Sequence, residues 1–204
     1  FVRLDHFSRN AQFVLKGTYV LCFGLLTFLL YAHIKKINED VLFRHRNFFG
    51  SFEVTERFPN QAYRYRTVTN GSIIHGKQFL AEPKRNNPIT YYSPQSGVGL
   101  AISFEHSIRK LEANPGLSIG VIGLGAGTIA ALTNVRDRVR FYEIDPDIEK
   151  MARNYFYYLE DAHAKTQVII GDGRIKLQEE LSTIGPQQFD VLAIDAFSGD
   201  SIPV

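Results

Sequence analysis

Sulfur and charge bias are what this sequence has least of. It carries one cysteine, one methionine and no tryptophan in 204 residues. A lone Cys22 excludes an intramolecular disulfide framework and any zinc site built from several cysteines. The six histidines are scattered, with no HExxH and no pair at helical spacing, so no metal site is expected. The 23 Lys and Arg nearly balance the 21 Asp and Glu. That leaves no basic stripe for nucleic acid. Internal repeats and low-complexity tracts are missing too. At 45% hydrophobic and 22% charged, the chain is globular rather than disordered. Its length allows one domain, or a small domain with an appendage. It begins at Phe1 and ends in Ser201-Ile202-Pro203-Val204, straight after a candidate site loop, so we expect a piece of a longer protein.

One long apolar run is present. Gly17 to Ile34 (GTYVLCFGLLTFLLYAHI) has no formal charge, with Lys16 before it and Lys35 and Lys36 after it. A bilayer takes about 20 apolar residues. The run is apolar all round, with no polar face, and no small-residue cleavage site follows it. A transmembrane helix over 17–34 is expected, after a flanking segment 1–16. The basic residues Lys35, Lys36, Arg44 and Arg46 slightly outweigh Arg3, Arg9 and Lys16. The C-terminal side is therefore expected in the cytoplasm. An inner or plasma membrane is the expected location. Cys22 within it is expected to be inert.

The charged stretch 35–47 reads as a connector. Residues 48–80 read as a small antiparallel β module: strands at 48–55, 63–69 and 72–80, with Asn70-Gly71 as a type I′ turn. Residues 81–96 are loop-like, and 97–113 show helical spacing ended by Asn114-Pro115-Gly116. From there strands (117–124, 139–144, 167–170, 189–194) alternate with helices (126–134, 145–159, 174–181). That rhythm is the βαβ signature of a parallel sheet, an α/β Rossmann-like domain over 97–204. His75 and His106 are expected to be ordinary strand and helix residues with local partners. The cluster Tyr155–Tyr158 is expected to pack in the core on one side and lie on the helix surface on the other.

The chemistry gathers at strand ends. Gly123-Leu124-Gly125-Ala126-Gly127 follows a strand and opens a helix, so the backbone can turn tightly and approach a ligand closely. The dinucleotide form of this loop would need glycine where Thr128 stands, which argues against NAD. Glu143 ends the next strand, 20 residues after Gly123, where an acid can accept from both ribose hydroxyls. Asp145 beside it reads as a helix cap with Pro146 at the first helical position. Asp172, between Gly171 and Gly173, ends the third strand. Asp195 ends the fourth, in Asp195-Ala196-Phe197-Ser198-Gly199-Asp200. A carboxylate at the end of an apolar strand is costly unless paired or used, and it could act as a general base.

Together these motifs resemble the S-adenosylmethionine-type Rossmann core of the spermidine synthase family. They resemble most closely bacterial membrane proteins in which transmembrane helices precede a polyamine-synthase-like domain. The matching stretches are VIGLGAGTIAAL, FYEIDPDIEKMARNYF and FDVLAIDAFSGDSIPV, with RTVTNG, IHGKQF and PITYYSP upstream. The resemblance implies an aminopropyltransferase using decarboxylated S-adenosylmethionine as donor and a small amine as acceptor, without a metal. It assigns the donor to Gly123, Gly125, Gly127, Glu143 and Asp172, with Gln78 and Tyr91 as further binding candidates. It assigns catalysis to Asp195 and Asp200. A homo-oligomer is compatible with it. The chain also departs from the family. Ala126 stands where the family's glycine loop carries an Asp for the donor's amine. Ser93 stands where an acid follows the tyrosine. Asp200 lies five residues after Asp195 instead of three. These departures keep two alternatives open: an S-adenosylmethionine-dependent methyltransferase, and a non-catalytic nucleoside-binding domain.

Overall fold

A computed structural model describes residues 9–58, 60–111 and 116–196. They form two units, one ending at Val41 and one beginning at Leu42. The first is essentially one helix, α1 (Arg9–Asn38), which contains the apolar run and extends beyond it at both ends. At 1.5 Å per residue it is about 45 Å long, more than the ~30 Å of a bilayer's hydrocarbon. None of its apolar span is buried. Leu21, Phe23, Phe28 and Tyr31 are all exposed. Thr18 and Thr27 donate their hydroxyls to the carbonyls of Val14 and Phe23 at 3.0 and 2.8 Å, which satisfies them without water. The helix is long and apolar enough to cross a membrane.

The second unit opens with strands β1 (Val41–Asn47), β2 (Gly50–Arg57), β3 (Tyr65–Asn70) and β4 (Ile73–Phe79), which lie in that order in one sheet. β1 falls on residues expected to be a connector. Its charges disguise a period of two: Phe43, His45 and Asn47 turn inward while Leu42, Arg44 and Arg46 turn out. Arg44 then pairs with Glu53 of β2 at 2.6 Å. The β3–β4 hairpin has the expected place but a different turn. Asn70 pairs with Ile73, so the loop residues are Gly71 and Ser72, and positive φ falls on Gly71 (59°) and not on Asn70. Glycine at the first loop position is the type II′ arrangement, not type I′. Asn70 is instead buried, and its Oδ1 accepts from the Ser51 amide.

Helix α2 (Gly97–Leu111) leads to a parallel sheet of β5 (Ser118–Ile122), β6 (Arg138–Glu143), β7 (Lys165–Ile170) and β8 (Val191–Ile194). The sheet order is β7-β6-β5-β8, parallel throughout. Helices α3 (Pro146–Tyr155) and α4 (Gly173–Thr183) make the later crossovers. The core sits on the central strands: Ile119, Val121, Val139 and Phe141 are essentially inaccessible, joined by Ile102 of α2 and Met151 of α3. Burial on both faces explains why these strands read as apolar runs. The expected helix 126–134 is only a 3-10 turn, Thr128–Leu132. Thr128, Ile129 and Ala130 are all buried, so the segment has no polar face. Asp137 closes the connection quickly by accepting from the amides of Asn134 (2.7 Å) and Leu117 (2.9 Å). His106 of α2 finds its partner in Asp137, at 2.8 Å and 31 residues away rather than nearby in the chain.

Candidate functional site

Strand order reverses between β5 and β8, since the chain runs outward through β6 and β7 and then returns to the other side of β5. In open α/β sheets a crevice forms at such a switch, beyond the carboxyl ends of the strands. A cavity of about 440 Å³ lies there. Its floor is the ends of all four parallel strands: Ile122 and Gly123, Glu143, Asp172 and Asp195. Phe49, Phe52, Val68, Asn70 and His75 of the antiparallel module form another wall, and Ile148 and Met151 of α3 line it too. Its size is that of small-molecule sites.

The glycine loop is shaped by what presses on it. Gly123 has φ of 100°, and a Cβ there would lie 2.2 Å from the Asp195 carbonyl oxygen. Gly125 has φ of 55°, and a Cβ there would lie 2.7 Å from the His75 carbonyl oxygen. Both positions thus need glycine for sign of φ and for space. Gly123 and Gly125 line the cavity; Gly127 does not, and a Cβ on it would meet the Leu159 side chain at 3.0 Å. Ala126 is buried and faces away as well: a Cβ on Gly76 of β4 would sit 2.4 Å from the Ala126 methyl. The loop is therefore clamped between β4 and the end of β8.

Glu143 is buried and holds the loop from below. One carboxylate oxygen accepts from the Leu124 amide at 3.0 Å, the other from the Asp145 amide at 2.9 Å. Burial raises its pKa, and these amides oppose the rise. Glu143 lines the cavity, and a carboxylate's roughly four acceptor positions exceed the backbone amides that it meets here. Asp145 caps α3 through the Asp147 amide (2.9 Å), with Pro146 at the first helical position, and its other oxygen accepts from Asn47 at 2.7 Å. Asp172 caps α4 by accepting from the Ile175 amide at 2.9 Å, which leaves its second oxygen unengaged by the helix. Arg174 is the cationic side chain of the lining.

Asp195 sits at the end of β8, its amide bonded to the Ile122 carbonyl at 2.8 Å. Its carboxylate is largely buried, and burial raises its pKa to about 6. Its partner is the Tyr92 hydroxyl, which donates to it. Sequence reasoning singled out Tyr91; the structure puts Tyr92 on Asp195 and leaves Tyr91 half exposed outside the cavity lining. A Tyr-Tyr pair gives no way to tell the two apart before the turn is known. The turn begins at Thr90, whose φ of 66° is unusual for a β-branched residue. Gln78 is also elsewhere. It is fully buried, its amide nitrogen donates to the Arg85 carbonyl at 3.1 Å, and its oxygen accepts from the Tyr157 amide at 2.8 Å. It ties β4 to the 81–96 loop and to the segment after α3. Asp200 lies outside the described residues. His75 departs from expectation in the other direction: it lines the cavity, and its Nε2 has no hydrogen-bond partner among the described residues. The hairpin's turn chemistry had seemed to account for Asn70, and nothing in the sequence pattern marked His75.

No family model matches the chain. It is 34% identical over 86 residues to a polyamine aminopropyltransferase of Vibrio vulnificus (strain CMCP6), a match covering 41% of this chain and 27% of that protein. Among solved structures it is similar to a probable spermidine synthase from Corynebacterium glutamicum, with a TM-score of 0.54 and 16% identity. That likeness covers 79% of this chain and 54% of the other. The chain thus spans about a quarter of the curated relative and about half of the solved one. It is similar in part to a polyamine aminopropyltransferase, and it shares its fold with a probable spermidine synthase.

Proposed function

We propose that the chain carries the donor site of a spermidine synthase-like aminopropyltransferase, moving an aminopropyl group from decarboxylated S-adenosylmethionine to a small amine. The observation that carries this is the row of strand-end acids around one cavity at the sheet's switch point: Glu143, Asp172 and Asp195 beside Gly123 and Gly125. Glu143 would accept from the ribose hydroxyls with its remaining lone pairs. Asp172 would accept from the adenine's exocyclic amine with the oxygen its helix does not use. The glycine loop would admit the sulfonium end, and Gly127 would shape that loop from behind. An anionic lining attracts both cationic substrates.

Transfer forms a C–N bond to the amine as the C–S bond of the sulfonium breaks, releasing a neutral thioether nucleoside. The amine loses a proton as it attacks, and Asp195 would take it. A pKa of about 6 leaves Asp195 ionised at neutral pH yet basic enough to accept that proton. The Tyr92 hydroxyl would hold the carboxylate in place. Asp200 is proposed as a second acid on the resemblance alone. Helix α1 would anchor this domain to a membrane, as in proteins where such helices precede a polyamine-synthase-like domain.

Methyl transfer from S-adenosylmethionine is a second reading, favoured by Ala126: the position that would carry an acid for the donor's amine packs on Gly76 instead. Competition tests the choice. The first reading predicts that unlabelled decarboxylated donor displaces labelled S-adenosylmethionine at lower concentration than S-adenosylmethionine itself. The reverse order would move the assignment to methyl transfer.

A further inference from the structure

His75 is built into the cavity wall by an irregularity of its strand. Val68 pairs with Gly76 and Thr69 with Ile74, so His75 is the extra residue of a β-bulge in β4. A bulge breaks the alternation of a strand and re-aims a side chain, and bulges are common beside active sites. Here the re-aimed side chain lines the cavity, and its Nε2 is shut off from solvent without a partner among the described residues. Its backbone is fixed too, with the carbonyl against Gly125 and Gly76 wedged on Ala126. A buried polar atom without a partner is costly and calls for one, and an atom that lines a cavity can take it from a bound ligand.

We propose that His75 is a specificity-determining residue that accepts, through Nε2, a hydrogen bond from the ammonium group of a cavity-bound substrate. The proposal rests on the donor-site reading above. An imidazole nitrogen can accept a hydrogen bond only while the ring is neutral, and burial lowers its pKa and keeps it so. The rest of the lining is rich in acceptors, Glu143, Asp145, Asp172 and Asp195 against Arg174, which suits a cation rather than an anion. The His75 carbonyl lies against Gly125, whose loop would admit the sulfonium end, so the proposal puts the imidazole at the tail of the donor. It would thereby serve in place of the acid that Ala126 does not supply.

The test titrates the full chain in detergent with decarboxylated S-adenosylmethionine, S-adenosylmethionine, 5′-methylthioadenosine and putrescine. It compares wild type with His75→Ala and His75→Asn. Methylthioadenosine has the nucleoside and sulfur but no tail amine. The expected result is that His75→Ala weakens an amine-bearing ligand about tenfold, the scale of one lost hydrogen bond. Methylthioadenosine should change less than about twofold on the same grounds. His75→Asn, which keeps an acceptor oxygen, should lie between. A loss on the two sulfonium donors places the amine in the donor tail, and a loss on putrescine places it in the acceptor; either supports the proposal. Equal weakening of all four ligands, or of none, overturns it and leaves His75 a wall residue. Failure of the wild type to bind any nucleoside would instead overturn the donor site itself, and this proposal with it. Thermal unfolding of the unliganded variants identifies a folding defect, which would weaken all ligands alike.

Discussion

The raised pKa of Asp195 has consequences for both rate and stability. In the unfolded chain this carboxyl ionises near its ordinary value of 3.8, and in the folded chain near 6. Between those values the unfolded state loses its proton first, so folding is progressively disfavoured as pH rises through that window, and the penalty is complete above about 6. Asp195→Asn removes it. The variant should therefore gain stability over wild type as pH rises from 4 to 7, and the two should converge at low pH; equal differences at both ends would contradict this. Activity should move the opposite way, rising through pH 6 as the base ionises. Asp195→Asn should lower kcat by about 10²–10⁴-fold while donor affinity stays within a few-fold. Tyr92→Phe removes the hydroxyl that donates to the ionised carboxylate. Its acidic limb should shift to higher pH. An unchanged limb would mean that Tyr92 does not touch Asp195 in the working site.

At the scale of elements, the site depends on the antiparallel module gripping the glycine loop of the parallel sheet. Gly123→Ala puts a methyl against the Asp195 carbonyl at a φ of 100°. The strained backbone alone should cost about 1–3 kcal/mol, with the clash adding to it. A denaturation midpoint equal to wild type would show that the loop is looser than described. Gln78→Leu separates support from contact. It strands the Tyr157 amide and the Arg85 carbonyl, so it should cost about 1–3 kcal/mol of stability. Donor affinity should hardly change, because Gln78 is outside the cavity lining. Loss of donor binding at unchanged stability would restore Gln78 as a ligand-contacting residue. These two residues also show what sequence can convey. Gly123, Glu143, Asp172 and Asp195 were legible because each ends an apolar strand, and the sheet's topology then brings all four ends together. Gln78, Tyr91 and Gly127 lie outside the cavity lining, and a residue within a strand or turn gives no sign in the sequence of which way it faces. The bulge at His75 was invisible for the same reason: it is a register shift between two strands, and no residue type announces it.

For the whole molecule, the alternation of strands and helices was enough to give the α/β class, while β1 was hidden by its arginines and histidine. The apolar run was plain, and α1 extends it into a helix of 30 residues. If it spans a membrane, the full chain should sediment with membranes, resist high salt and alkaline carbonate, and be released by detergent. Release by salt alone would contradict a span. The central claim is that the strand-end acids form one donor site, and calorimetric titration of the detergent-solubilised chain tests it most directly. Decarboxylated S-adenosylmethionine should bind more tightly than S-adenosylmethionine. Glu143→Ala should weaken it at least about tenfold, since it removes the proposed ribose acceptor and the contact to the Leu124 amide of the glycine loop. Binding of neither donor, or a Glu143→Ala variant that binds like wild type, would contradict the account.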